Sequence, residues 1–272
     1  MTQAARTPSR RLYILVTLVA FALVLLPFLF WRSTWFGRRL TDAETERLLA
    51  DLSKPRQTQH ALVQIGERLA QGDASVRRWY PGVAALASSP VLELRQTAAW
   101  IMGQDPAHQA FHAPLLKLLT DSEPMVRRNA ALALAKFGDD QALGELRAML
   151  RPSTLATPAG GVLRYRLKPG EFVNPGTLVA RAGDREIRAQ LPGEVRQLLK
   201  PEGATVQPGE PIVELSSDRE HAWEALRALY LIGTPAELED VQRFARGIPG
   251  IPERLQQQAS FTVRAIESRR AR

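Results

Sequence analysis

Asp121-Ser122-Glu123-Pro124-Met125-Val126-Arg127-Arg128-Asn129-Ala130-Ala131-Leu132 is the stretch on which the fold turns. It opens on turn-forming residues and a Pro, then sets small and apolar side chains at helical spacing. An offset of 32 residues relates it to Leu94-Arg95-Gln96-Thr97-Ala98-Ala99-Trp100-Ile101-Met102-Gly103. In both copies an Ala pair lets neighbouring helices approach closely, and the Leu and Ile residues that follow face a shared core. A third copy, Glu224-Ala225-Leu226-Arg227-Ala228-Leu229, ends at Ile232-Gly233, and Gly233 follows Gly138 by 95 residues. Ala259 follows Ala225 by 34.

The interval of 95 equals one period of ~32 residues plus about 63 more. Residues 153–217, rich in Gly and Pro, supply the excess, so a complete domain is expected between the two helices of one repeat. Amphipathic helices are predicted over 42–53, 56–70, 75–88, 91–103, 107–120, 124–137, 139–150, 219–232, 235–246 and 251–268, with Pro81 kinking or splitting the third. Repeated helical pairs of this kind imply a solenoid, in which each pair buries its apolar face on its neighbours. The residues of the opening stretch resemble HEAT-like repeats, of the short ~30-residue type named after phycobilin lyases. The likeness is carried best by 90–150, less by 218–268 and least by 41–88. It implies that Asp121 and Arg127 tie adjacent repeats together.

The insert repeats internally at an offset of 33: Val162 matches Val195, Gly170 matches Gly203, Val173 matches Val206, Pro175-Gly176 matches Pro208-Gly209 and Val179 matches Ile212. Short alternating runs between Pro/Gly turns predict strands, and two related halves can close round one small core. Gly160-Gly161-Val162, Lys168-Pro169-Gly170-Glu171-Phe172-Val173, Asn174-Pro175-Gly176, Ile187-Arg188-Ala189, Gly193-Glu194-Val195 and the run from Gly203 to Gly209 resemble the barrel-sandwich hybrid of biotinyl and lipoyl domains, shared by periplasmic adaptor (membrane-fusion) proteins. In that family a Lys at the hairpin tip receives the prosthetic group. The tip here reads Arg181-Ala182-Gly183-Asp184-Arg185-Glu186, without Lys, which argues against a swinging-arm carrier. The helical hairpin that transport adaptors carry between the half-motifs is absent too.

Leu12 to Trp31 is apolar except for Thr17 and Pro27. Twenty helical residues span ~30 Å, one hydrocarbon core. Tyr13, Trp31 and Trp35 stand where interfacial aromatics stand, and Phe30-Trp31-Arg32 offers no signal-peptide cleavage site. The fold class expected is therefore mainly α: a helical HEAT-like solenoid interrupted by a small all-β barrel-sandwich hybrid domain and preceded by one transmembrane helix. The divisions are a cytoplasmic tail (1–11), the transmembrane helix (12–31), repeats (41–151), the β insert (152–217) and further repeats (218–268). Arg clusters flank the span with a slight bias towards N-in, which places the body outside the cytoplasm, at the inner membrane.

Charge adds to this reading. The net +8 resides in six Arg within residues 1–40 and in Arg264, Arg269, Arg270 and Arg272 near the end, leaving the body about neutral. That argues against a nucleic-acid face on the folded domain. With no Cys, disulfides, Cys-ligated zinc and a thiol nucleophile are excluded.

The chemistry-bearing residues form few constellations. His108 and His112, at i and i+4 with Asp105 nearby, could share a helix face and hold a metal; Ala113-Pro114 directly after them argues against it. His60 and His221 stand alone, and Ser88-Ser89 and Ser216-Ser217 belong to no triad-like spacing. Trp79, Trp100 and Trp223 fall on repeat helices, where they either pack the core or, facing the concave side, anchor a partner. The Arg-rich end reads as a solvated helix tail, or as a lipid contact. These observations lead to the expectation of a non-enzymatic, membrane-anchored scaffold with no metal or cofactor, able to form a homo-oligomer. Its protein partner is expected at the hairpin tip, on Arg181, Gly183, Asp184 and Arg185. An adaptor subunit of an inner-membrane transporter is the alternative, and a lyase-like cofactor-handling protein a more distant one.

Overall fold

The computed structural model describes residues 10–33 (side chains at 14 and 16–29), 38–247 and 250–270. The predicted tail up to residue 9, Trp35 and Arg272 lie outside the described residues, as do the side chains of Tyr13, Trp31 and Arg32. Helix α1 (Arg10–Ser33) runs unbroken through Pro27. Most of its described apolar side chains, Phe21, Leu23, Val24 and Leu26 among them, are exposed. Positions 14 to 29 cover only ~24 Å, and among the described residues no helix is long and apolar enough to cross a membrane.

Helix α2 (Asp42–Ala50) starts on a capping box: Thr41 Oγ1 accepts from the Glu44 N–H at 3.3 Å, and Glu44 Oε2 accepts from the Thr41 N–H at 2.8 Å. Helix α3 (Pro55–Ala70) starts on Pro55. The predicted third helix is split at Pro81, as expected. A 3-10 turn over Ala74–Trp79 precedes the short α4 (Tyr80–Ala85), and Pro81 occupies its first turn, where the missing N–H costs nothing. There follow α5 (Leu92–Met102), α6 (His112–Leu119), α7 (Pro124–Lys136), α8 (Leu143–Leu150), α9 (Arg219–Ile232), α10 (Leu238–Ala245) and α11 (Glu253–Arg270).

Helices α3, α5, α7, α9 and α11 stack in one row, and α2, α4, α6, α8 and α10 back them in a second. The Ala pairs do what their size predicts: Ala98, Ala99, Ala130, Ala131, Ala225 and Ala259 are completely buried between helices. One apolar core runs from Leu62 to Ile266 and includes Leu134, Leu146, Leu226 and Leu229, so helices on either side of the insert share it. With the Ala-pair helix counted as the first of each pair, the insert joins two successive pairs, α7–α8 and α9–α10, rather than interrupting one.

The insert forms β1 (Ser153–Ala156), β2 (Gly161–Tyr165), β3 (Phe172–Val173), β4 (Leu178–Ala182), β5 (Arg185–Arg188), β6 (Gly193–Leu198), β7 (Thr205–Val206) and β8 (Pro211–Leu215). They make two antiparallel sheets, ordered β1-β8-β6-β3 and β5-β4-β2-β7. Advancing every strand number by four, with wrap-around, turns one order into the other. The repeat of 33 residues is thus a two-fold pseudosymmetry of strand order. Its turns match as well: Gly170 and Gly203 have φ of 91° and 80°, Gly176 and Gly209 of 87° and 85°. These positive φ values explain why both halves need Gly there. A separate core, including Leu163, Val179, Ile187, Val195, Ile212 and Val213, fills the space between the sheets.

Entry and exit lie side by side, because β1 pairs with β8 from Ser153↔Leu215 onwards. The helices flanking this neck, α8 and α9, pack directly on each other. Arg151 grips Asp240 of α10 through two bonds of 2.8 Å, and Arg243 donates to the terminal carbonyl of Leu150.

Candidate functional site

The row of α5, α7, α9 and α11 carries a groove of about 880 Å³. Trp100, Leu132, Arg227 and Phe261 line it, one from each helix. Their offsets are 32, 95 and 34, the same intervals that relate the repeats, so all four occupy one repeat position. A second position supplies Asn129, Glu224 and Gln258, and a third supplies Gln104, Lys136 and Leu231. The groove is therefore the repeat itself, displayed four times on one face.

Its walls carry large apolar side chains open to solvent, interleaved with Gln104, Asn129, Glu224, Arg227 and Gln258. Trp100 is 42% exposed, Tyr230 46%, Leu231 51% and Phe261 50%. Gly66 of α3 seats Trp100, since a Cβ on residue 66 would overlap the indole ring. Gly103 likewise lets the end of α5 lie on α7, where an added Cβ would come 2.8 Å from that of Ala133. Arg264 stacks over Phe261, 4.9 Å from the ring centroid.

The groove also holds a cation. Lys136 donates to the Gly103 carbonyl at 3.0 Å and makes no ion pair among the described residues. Burial pushes its ammonium below the usual 10.5; Glu224 opposes this shift and Arg227 adds to it. Glu224 is itself engaged by Arg227 at 3.5 Å. The groove thus pairs exposed aromatic surface with an exposed Lys that shares it with Glu224 and Arg227.

At one end of the groove, near the neck of the insert, Arg128 is almost fully buried. Its Nη1 lies 3.2 Å from His221 Nδ1, its Nε lies 3.8 Å from Glu145 Oε1, and its Nε–H has no hydrogen-bond acceptor among the described residues. Burial and the neighbouring guanidinium push the His221 imidazole below its ordinary value, against the opposing pull of Asp218.

The other residues singled out by type and spacing separate into distinct roles. Trp79 is core, and Trp223 packs on the core beneath Arg227 and Arg254. His108 and His112 do not share a helix: His108 precedes a 3-10 turn and packs edge-on against Tyr80 and Phe111, whereas His112 bonds Asp139 at 2.6 Å. His221 joins the Arg128 cluster, and Ser216 Oγ accepts from the Glu194 N–H within the insert.

The hairpin-tip residues lie together on the β4–β5 turn, with Arg181, Asp184 and Arg185 exposed. Gly183, at φ 58°, turns its N–H onto the Val162 carbonyl at 3.0 Å, and Arg181 pairs with Glu186 at 2.7 Å. The tip is thereby tied down to β2 as well as displayed.

The Arg-rich end is not simply a solvated tail. Arg269 donates to the carbonyls of Leu229, Tyr230 and Gly233 at 2.8–3.1 Å and so caps α9. A basic side chain 36 to 40 residues from its acceptors leaves no local signal in the sequence.

Over residues 81–156 the chain matches a family model described as HEAT repeats. No curated protein matches it. Among solved structures it is similar to the complex of CpcE and CpcF of phycocyanin lyase from Nostoc sp. PCC7120, at 18% identity over 86% of this chain and 67% of that one, with a TM-score of 0.44. It is also similar to an engineered protein, at 16% identity over 82% of this chain and 79% of that one (TM-score 0.42). A designed armadillo repeat protein has 14% identity over 82% of this chain and 80% of the other (TM-score 0.41). Within 81–156 the helices are thus HEAT-like repeats, and the stacked helical rows continue beyond them.

Proposed function

We propose that this chain is a non-enzymatic, single-span membrane-anchored scaffold that docks a protein partner within an envelope complex. The observation that carries the reading is the groove across α5, α7, α9 and α11, where four equivalent repeat positions present Trp100, Leu132, Arg227 and Phe261. A solenoid offers such a surface without needing an enclosed pocket. The exposed apolar side chains of α1 support the anchor; its placement at the inner membrane with the body extracytoplasmic rests on the balance of Arg residues either side of it in the sequence. The insert, in this reading a barrel-sandwich hybrid, adds a second contact at Arg181, Gly183, Asp184 and Arg185.

Affinity purification of the full chain from its own membranes in mild detergent, with mass spectrometry, tests the reading. A stoichiometric companion lost in Trp100→Ala and Phe261→Ala supports it. A protein that emerges alone, or whose companion ignores both substitutions, refutes it.

The two-sheet pseudosymmetry of the insert favours a second reading, an adaptor subunit of an inner-membrane transporter. Loss of export on removing 153–217, with the Trp100 variant fully active, would select it.

A further inference from the structure

The two sheets of the insert share one strand order, so each half serves as a control for the other, and their outer faces differ in charge. Along β2, alternation turns Val162, Arg164 and Arg166 to the exposed side, while Leu163 between them is buried. Arg164 stands directly opposite Arg181 of β4, and Arg181 opposite Glu186 of β5. The positions 33 residues further on are Gln197 and Glu214, also paired, and there Gln197 donates to Glu214 at 3.0 Å. The fold therefore does not require two Arg on this rung, and like charges directly opposite destabilise a sheet. Glu186 is shared between Arg181 at 2.7 Å and Arg188 at 2.6 Å, and Arg164 and Arg166 have no ion pair or side-chain hydrogen bond among the described residues. Asp184 at the tip and Glu202, which accepts from the Tyr165 N–H at 2.9 Å, stand at the margins. Counting both, and Arg185, five Arg face three acids. The strands of the other sheet carry Arg196 against Glu194 and Glu214.

We infer that this outer face of the insert, centred on Arg164, Arg166 and Arg181, lies against anionic phospholipid headgroups of the membrane that holds the chain. The inference rests on the anchored reading above. Two guanidinium groups on one rung can share a single phosphate, whose oxygens match the planar fork of Arg. An anion there also relieves the repulsion that the rung otherwise carries. The surface fits a headgroup layer better than a protein. Among the described residues it shows solvent no aromatic ring, and Val162 is its one large exposed apolar side chain. A protein partner needs a desolvated apolar centre, whereas an anionic leaflet needs only charge.

The chain has no Cys, so one dye can be placed cleanly: on Thr205→Cys of β7, opposite Val162, or on Thr154→Cys of β1 in the other sheet. The labelled full chain is reconstituted into vesicles of phosphatidylcholine alone, or of phosphatidylcholine mixed with phosphatidylglycerol, each carrying a rhodamine headgroup acceptor. Energy transfer from the Thr205→Cys dye should rise with phosphatidylglycerol and fall again in high salt. Each Arg at the surface contributes about fivefold to the bound population, so Arg164→Gln combined with Arg166→Gln should remove most of the rise. Arg196→Gln, on the other sheet, should leave it unchanged, and the Thr154→Cys dye should not respond. Circular dichroism melts establish that each variant is folded.

Equal transfer in both kinds of vesicle, or a rise that survives the double substitution, would overturn the inference. So would a companion captured in mild detergent that depends on Arg164 and Arg166 while the dye ignores phosphatidylglycerol; the face would then belong to an acidic protein. Flotation judges the anchor separately. A chain that does not float with pure phosphatidylcholine vesicles loses the anchored reading. Its flotation with the mixed vesicles, lost in the double variant, would still support the sheet face, and flotation with neither would overturn both.

Discussion

Arg95 and Asp121 show how one residue pair holds successive repeats. Arg95 donates to Asp121 at 2.6 and 3.0 Å, and both side chains are largely buried. Resemblance pointed to Asp121 and Arg127 as the tie. In the structure the two residues hold different groups. Asp121 binds the Arg of the preceding repeat, while Arg127 holds the Asp121 and Ser122 carbonyls and Glu145. One period after Asp121 comes Ser153, the first residue of β1, so the insert begins where the next such acid would stand. Arg95→Ala leaves a buried carboxylate unpaired and should cost about 3–5 kcal/mol in urea denaturation; a loss below ~1 kcal/mol would show that the tie is dispensable. Burial pushes the Asp121 carboxyl up, but the Arg95 bonds and the Glu123 N–H outweigh it and hold it below 3.8. Its stabilisation is complete above that value and disappears as pH falls through the lower folded one. His221 carries the same sign at higher pH. Its folded value lies below 6.5, so stability should decline as pH drops from 6.5 through that value, and His221→Asn should flatten that part of a stability–pH curve.

Among the elements, α11 matters most for the end of the solenoid. Its Arg269 satisfies carbonyls that α9 cannot satisfy internally. Arg269→Ala should therefore lower stability by about 1.5–3 kcal/mol, with amide exchange accelerated first in the last turn of α9. Equal protection in variant and parent would exclude the cap. Trp100 depends on α3 in the same indirect way. Gly66→Ala favours the helix by about 0.5–1 kcal/mol yet must displace the indole ring. The expected result is a changed near-ultraviolet circular dichroism spectrum at nearly unchanged stability, with weaker partner capture. The helices themselves were legible, because Ala pairs, Pro and Gly mark them locally. Trp100 was one of three equivalent candidates in the sequence, and only packing separated it from the buried Trp79.

Across the whole molecule, the insert and the solenoid have separate cores, joined at a neck where β1 and β8 run side by side. Replacing 153–217 by a short Gly-Ser linker should leave the helical circular dichroism signal of the repeats intact; wholesale loss of helix would mean that the two cores fold as one. The sequence by itself determined the repeat, its interruption and the duplication inside the insert, because periodicity, small residues and turn glycines act over a few residues of chain. The tertiary structure alone decided which groups meet: Arg95 with Asp121, Arg269 with the end of α9, and Lys136 beside Trp100 and Leu231 in an open groove. Those contacts join residues far apart along the chain. They depend on how the helices stack, and burial and desolvation, which give each contact its energy, exist only once they have stacked.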